Sequence, residues 1–293
     1  MKIYQQKNQV IIDEVKDFVP KHIFECGQCF RWNKEADDSY TGVAFGKILN
    51  VRLDGETLYL DNTNIAEYES LWSKYFDMDR DYSVIKRRLE SMDEHLYEAV
   101  RFGEGMRILR QDTFETSISF IISARNAIPM IKRSVEYLSR HLGEIIGEYR
   151  GVRYHAFPTP QALSSAADEI MHPSGVAFRK NYIIDTSHMQ ASHQMDIYKL
   201  VNLPTEMARK ELMGLPGIGP KVSDCILLFG LGKYDVFPVD VWVNRVMQEF
   251  YIHEEIKDLK KIREYSIDKF DELSGFAQQY LFYYAREKGI GRK

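Results

Sequence analysis

The sequence predicts an α+β fold, a small N-terminal antiparallel β-sheet domain followed by a mainly α-helical body, and three observations predict it. Residues 1 to about 76 carry short β-branched and aromatic runs separated by turn signals. From about residue 77 the apolar residues recur at three- and four-residue steps instead, the period of a helix. Helix-capping residues and glycines punctuate that second part, and no repeat or low-complexity linker divides it.

In chain order, QVIIDEV (9–15), CFRWNKE (29–35), TGVAFGKILNVRLDG (41–55) and TLYLDN (57–62) supply the strands. KILNVRL and ETLYL alternate about Asp54-Gly55, which reads as a hairpin. Ile85, Leu89, Met92 and Leu96 fall on one helix face, as do Phe114, Ile118, Ile121 and Ile122. Asp112 and Thr159-Pro160 are placed to cap helix starts, and Gly143, Gly151 and Gly175 to mark helix ends. The expected division is residues 1–100 for the sheet domain with short helices and 101–293 for the helical domain.

Composition excludes several classes. With 293 residues, 44% hydrophobic and 13% aromatic content and 9 prolines, the chain has the makings of a large core rather than a disordered or fibrous one. ISFIISA (118–124) and CILLFGLG (225–232) fall far short of the roughly 20 residues of a membrane helix. No secretory leader is recognisable and the three cysteines do not form an even framework, so an intracellular, cytoplasmic location is expected. The net charge of −4 argues neither for nor against nucleic acid: residues 51–100 hold 6 basic and 12 acidic side chains, leaving +2 for the remainder.

Residues 208–250 carry the chemistry. A helix ends at Gly214, Leu215-Pro216-Gly217-Ile218-Gly219 forms a tight turn, and Pro220 opens a second helix, where its missing N–H costs nothing. Gly217 and Gly219 permit close backbone approach, and the helix N-terminus at residues 214–221 suits a phosphate. Lys221 stands in the first turn of that helix, where the dipole disfavours an ammonium and favours a nucleophilic amine. The competing reading is a solvated surface lysine. Asp240 precedes VWVNRVMQEF and is equally a simple N-cap.

LPGIGPK followed nineteen residues after its lysine by the aspartate of PVD resembles the helix-hairpin-helix DNA glycosylases. The resemblance implies that Lys221 attacks C1′ of the damaged nucleotide, that Asp240 stabilises charge developing on the sugar, and that β-elimination cuts the strand. The C-terminal region lacks the four cysteines of the endonuclease III branch, so no iron–sulfur cluster and no dissociable cofactor is implied. Lys221 points away from branches that use the aspartate alone. GQCFRW (27–32), SFIISARNAI (119–128) and AQQYLF (277–282) resemble the 8-oxoguanine type, a bifunctional glycosylase and abasic-site lyase. By that resemblance the Gly27 carbonyl accepts the N7–H of the oxidised base, Gln278 binds its Watson–Crick edge, and Phe282 and Cys225 sandwich it. Arg125, Asn126, Phe178, Arg179, Gly217 and Gly219 contact DNA, and the carbonyls of Met213, Leu215 and Ile218 hold a monovalent cation. The implied partner is double-stranded DNA containing oxidised guanine, bound by a monomer with no membrane.

Plainer readings stand beside these. Phe282 in QYLFYYA reads as core, and Cys225 as a small buried hydrophobe. Cys26-Gly27-Gln28-Cys29 has the spacing of a redox or zinc motif. A glycosylase for oxidised pyrimidines and a hairpin module that only binds DNA are the rival functions. The chain also departs from the family pattern: Arg125 stands at an asparagine position, Met130 at an arginine, Phe178 at a tyrosine and Trp242 at a histidine. Weaker discrimination of the base opposite the lesion is the expected result.

Overall fold

The computed structural model describes residues 2–254 and 256–291. Six strands form an antiparallel sheet in the order β1-β2-β6-β5-β4-β3: β1 Lys2–Gln6, β2 Gln9–Asp13, β3 Trp32–Lys34, β4 Tyr40–Ala44, β5 Lys47–Asp54 and β6 Thr57–Asp61. Turn chemistry fixes the register. Phe45 and Gly46 both take positive φ (51° and 69°) in the two-residue turn that pairs Ala44 with Lys47. Gly55 at φ 58° closes the expected β5–β6 hairpin, pairing Asp54 with Thr57. Gly42 is required by packing, because a Cβ there would lie 2.3 Å from the Trp32 ring.

The helices used below are α1 Tyr82–Glu90, α2 Glu94–Phe102, α3 Thr113–Ser123, α4 Ile128–Leu142, α5 Lys180–Ala191, α6 Thr205–Met213, α7 Pro220–Gly230, α8 Val241–Met247, α9 Leu259–Phe270 and α10 Ser274–Lys288. Asp112 and Thr159 do cap their helices, accepting from the Glu115 and Ala162 N–H groups. Two sequence readings are corrected. Met92 is 38% exposed in the turn between α1 and α2, because Asp93 starts a new helix by accepting from Leu96 N–H. Gly151 ends no helix: Arg150 and Gly151, at φ 52° and 76°, form the turn of a second hairpin, β7 Ile145–Tyr149 with β8 Val152–His155.

Two apolar cores result. The sheet buries Trp32, Leu49, Leu58, Leu60 and Trp72 against Phe24 and Phe76. The helical core runs from Tyr82 through Ile118, Leu212 and Ile226 to Leu281, so α1 and α2 bury their apolar residues there and not under the sheet. The segment 26–32 threads between the two: Cys26 and Phe30 belong to the helical core, Cys29 and Trp32 to the sheet core. Gln28, fully buried, ties it down by donating to the Ile23 and Arg107 carbonyls and accepting from Leu109 N–H. This threading carries Gly27 to the mouth of the helical body.

Candidate active site

The hairpin forms as its sequence dictates. Helix α6 ends at Gly214, and Pro220 occupies the first turn of α7. Gly217 adopts φ 79° beneath Tyr182, whereas a Cβ at Gly219 would meet nothing within 4 Å, so its backbone faces open space. The Leu215 carbonyl accepts from Ile218 N–H at 3.2 Å; among the described residues the Met213 and Ile218 carbonyls accept no hydrogen bond.

Lys221 extends from α7 into a cleft of about 620 Å³. Its Nζ donates to Ser123 Oγ at 3.3 Å and lies 5.1 Å from the Phe120 ring centroid. Asp240 forms the N-cap of α8, accepting from Val243 N–H at 2.8 Å. Burial pushes its carboxyl up, while the Val243 N–H and the Lys221 and Arg286 cations pull it back. N-cap and reactive-site readings of Asp240 are therefore the same geometry.

The cleft continues into a recess of about 40 Å³ walled by Gly27, Lys221, Cys225, Asp240, Gln278 and Phe282. Gly27 has φ 88°, and a Cβ on it would stand 3.1 Å from both Phe282 Cε1 and Arg286 Nη1, so glycine is needed twice over. Gln278 is 4% exposed and its Oε1 has no hydrogen-bond partner among the described residues. A buried acceptor without a donor is costly in a native fold and marks where a ligand donor belongs. Cys225 is buried and its thiol is raised by that burial. Phe282 packs against the helical core with one face on the recess.

Arg125 lines the cleft, exposed and in a left-handed conformation (φ 53°), and Phe178 is 61% exposed after Ala177 at φ 51°. Met130 is 43% exposed. Asn126 lines the cleft, although its side chain also bonds the Ile122 carbonyl and Ala127 N–H. Trp242 lines the cleft too, with the Arg245 guanidinium 5.3 Å from its ring. Arg179 differs from expectation. It is 5% exposed and donates to the carbonyls of Ala124, Arg125 and Val176, so it shapes the loop that presents Arg125 rather than facing DNA.

Cys26 and Cys29 are buried and unlinked, donate to the Ile23 and Phe24 carbonyls, and have thiols raised by burial, Cys26 to about 11. That is the opposite of a redox thiol. Sequence reasoning missed Phe120 and Ser123, which lie one turn apart at the end of α3 and meet Lys221; the 119–128 segment is where the signal lay. It also missed the exposed Val241 and Leu259 on the cleft wall. No helix among the described residues is long and apolar enough to cross a membrane.

Comparison with known proteins agrees with this geometry. The 8-oxoguanine DNA glycosylase N-terminal domain matches residues 10–116, and the HhH-GPD superfamily base excision DNA repair protein matches residues 118–271. A probable N-glycosylase/DNA lyase of Methanothermobacter thermautotrophicus is 31% identical over 242 residues, 76% of this chain and 75% of that one. The N-glycosylase/DNA lyase of Saccharomyces cerevisiae is 30% identical over 277 residues, 83% of this chain and 71% of that one. The crystal structure of Clostridium acetobutylicum 8-oxoguanine glycosylase/lyase, in complex with double-stranded DNA containing cytosine opposite 8-oxoguanine, superposes with a TM-score of 0.96 at 44% identity over 99% of each chain. The hairpin, the lysine–aspartate cleft and these matches over most of its length together establish that the chain belongs to the HhH-GPD superfamily of base excision DNA repair proteins, with an 8-oxoguanine DNA glycosylase N-terminal domain.

Proposed function

We propose that the protein extrudes 8-oxoguanine from duplex DNA, excises it, and cuts the abasic strand by β-elimination. The observation that carries this reading is the recess itself, which sets an amine and a carboxylate at one end against an unpartnered buried amide oxygen and a glycine backbone at the other. A guanine-type base offers N–H donors along its Watson–Crick edge, which the Gln278 Oε1 can accept. Oxidation at C8 converts N7 from a lone pair into an N–H, and the Gly27 carbonyl accepts it; that single proton separates lesion from guanine. Cys225 and Phe282 take the two faces of the base, as extruded bases require.

The Lys221 amine then forms a bond to C1′ as the bond from C1′ to N9 breaks and the base departs with a proton. The Asp240 carboxylate, in a water-poor recess, stabilises the positive charge that develops on the sugar. Opening of the sugar ring leaves an imine between Lys221 and C1′. Loss of a C2′ proton expels the 3′ phosphate and breaks the strand.

The rest of the site holds the duplex. Gly217 and Gly219 let the phosphate backbone approach the N-terminus of α7, and the carbonyls of Met213, Leu215 and Ile218 would hold a monovalent cation, which would supply positive charge toward that phosphate. Phe178 enters the gap left by the base, and Arg125 and Asn126 face the opposite strand. The protein works inside the cell as a monomer and needs no dissociable cofactor for these steps.

Borohydride trapping on a duplex with one 8-oxoguanine tests the proposal. A covalent adduct on the damaged strand, absent with undamaged duplex and with Lys221→Gln, is the expected result. Base release without an adduct would refute the assignment of Lys221, and neither release nor adduct would refute the lesion class.

A further inference from the structure

The turn that carries Gly27 shows an ordered use of backbone acceptors. Between Ile23 and Gln28 every carbonyl but one accepts a hydrogen bond from a side chain. The Ile23 carbonyl accepts from Gln28 Nε2 at 2.9 Å and Cys26 Sγ at 3.3 Å, and the Phe24 carbonyl from Cys29 Sγ at 3.8 Å. The Glu25 carbonyl accepts from Arg286 Nη2 at 2.6 Å, the Cys26 carbonyl from Gln279 Nε2 at 2.9 Å, and the Gln28 carbonyl from Gln111 Nε2 at 2.7 Å. The Gly27 carbonyl accepts none among the described residues.

Two of those donors come from α10, the helix that also carries Gln278 and Phe282. Arg286 lies one turn beyond Phe282, and its guanidinium is 5.4 Å from that ring's centroid. Its Nη1 is buried, without a hydrogen-bond partner among the described residues, and 3.1 Å from where a Gly27 Cβ would stand. The guanidinium therefore packs directly on the Gly27 backbone while its other arm holds Glu25. Gln279 holds the carbonyl between. A positive-φ glycine left to itself samples many orientations, so something must select the one in which its carbonyl faces the recess.

We propose that Arg286 and Gln279 are positioning residues for lesion recognition: by occupying the Glu25 and Cys26 carbonyls they fix the Gly27 carbonyl as the one acceptor left for the base, in register with Gln278 and Phe282. The proposal rests on the reading that Gly27 accepts the N7–H of the oxidised base. It accounts for why a fully charged side chain is kept beside the lesion pocket without touching its interior. It also explains the neighbouring glutamine on α10, since Gln278 reads the base and Gln279, facing the turn, aims the glycine that reads its other edge.

The test is a set of dissociation constants, measured in a Lys221→Gln background so that no substrate turns over. The duplexes carry 8-oxoguanine, guanine, 8-methoxyguanine (oxygen at C8 but a lone pair at N7) or an abasic site, which has no base to read. With the turn intact, 8-oxoguanine is expected to bind about tenfold tighter than the two bases with a lone pair at N7, the scale of one well-made hydrogen bond. Arg286→Met and Gln279→Leu should each reduce that ratio to about two- or threefold, with abasic-site affinity unchanged and partial recovery in Arg286→Lys. An unchanged ratio in both variants would overturn the proposal. So would an equal loss on the abasic duplex, which would mean that the residues only support the fold. If the intact turn itself shows no preference for 8-oxoguanine over 8-methoxyguanine, the reading of Gly27 fails and the proposal with it, an outcome the variants are not needed to see.

Discussion

Tyr182 stands over Gly217 so closely that a Cβ on the glycine would lie 2.6 Å from the Cβ of the tyrosine. Helix α5 is thus packed onto the hairpin turn through a contact that only glycine allows, and Gly217 also needs its φ of 79°. Gly219, where a Cβ would meet nothing within 4 Å and whose φ is −94°, has neither constraint.

The two glycines should therefore separate stability from DNA binding. Gly217→Ala is expected to cost about 1–3 kcal/mol, lowering Tm by several degrees and weakening duplex binding. Gly219→Ala should leave Tm within about 1 °C of wild type yet weaken binding on the order of tenfold, because its methyl enters the space a phosphate needs. Thermal unfolding and duplex titration at fixed salt check both, and a stable, fully binding Gly219→Ala would remove the hairpin from the DNA interface.

Asp240 has a carboxyl raised above the ordinary 3.8 by burial. A group with a raised folded-state pKa holds its proton more tightly in the native state than in the unfolded one. Its contribution is fully present below about pH 3.8 and is lost as pH rises through the raised value. Asp240→Asn, which keeps a capping side chain for Val243 N–H, should thus raise Tm at neutral pH, and the gain should vanish in acid. Excision by the same variant should fall on the order of a hundredfold or more. A Tm at pH 7 below that of wild type would contradict this account.

Arg179 acts at one remove. Arg179→Met deletes the side-chain donors to the Ala124, Arg125 and Val176 carbonyls; the Val176 carbonyl keeps the backbone N–H of residue 179, and those of Ala124 and Arg125 lose their partner. We expect a loss of about 2–3 kcal/mol in stability together with weaker duplex binding, measured by denaturant titration and by DNA affinity. Arg125→Ala, at an exposed position, should weaken binding with stability unchanged. Similar stability losses in both variants would show that Arg179 is not the residue supporting this loop.

Met130 and Phe178 are 43% and 61% exposed, and by the family resemblance they stand at an arginine and a tyrosine position. A thioether cannot donate to cytosine. Single-turnover excision of 8-oxoguanine is expected at similar rates opposite cytosine and adenine, and Met130→Arg should tilt the ratio toward cytosine. A strong cytosine preference in the unaltered protein would contradict this.

Legibility in the sequence followed how local the determinants are. The placement of Lys221 and Asp240 at helix starts was readable because the first residues announce each helix, Pro220 for one and the Asp240 cap for the other, whereas their roles came only from the family resemblance. The β5–β6 hairpin was readable from alternation about a glycine turn. The second hairpin was not, since a short irregular strand pair offers little alternation and Gly151 serves a turn as well as a helix end. Arg179 was misjudged because its burial depends on carbonyls more than fifty residues away that no local pattern reveals. The walls of the recess, Gly27, Cys225, Gln278 and Phe282, became visible only through resemblance to a family, for they are brought together from both ends of the chain.

That last fact sets an order of events during synthesis. The hairpin and Asp240 leave the ribosome before α10 does, and the contacts that finish the pocket join Glu25 to Arg286 and Cys26 to Gln279, 261 and 253 residues apart. A nascent chain ending before residue 274 has the hairpin and Asp240 but lacks Gln278, Phe282 and the two side chains that hold the Glu25 and Cys26 carbonyls. The turn that carries Gly27 therefore gains its last supports only when α10 has been made, and rapid docking of that helix completes the recess.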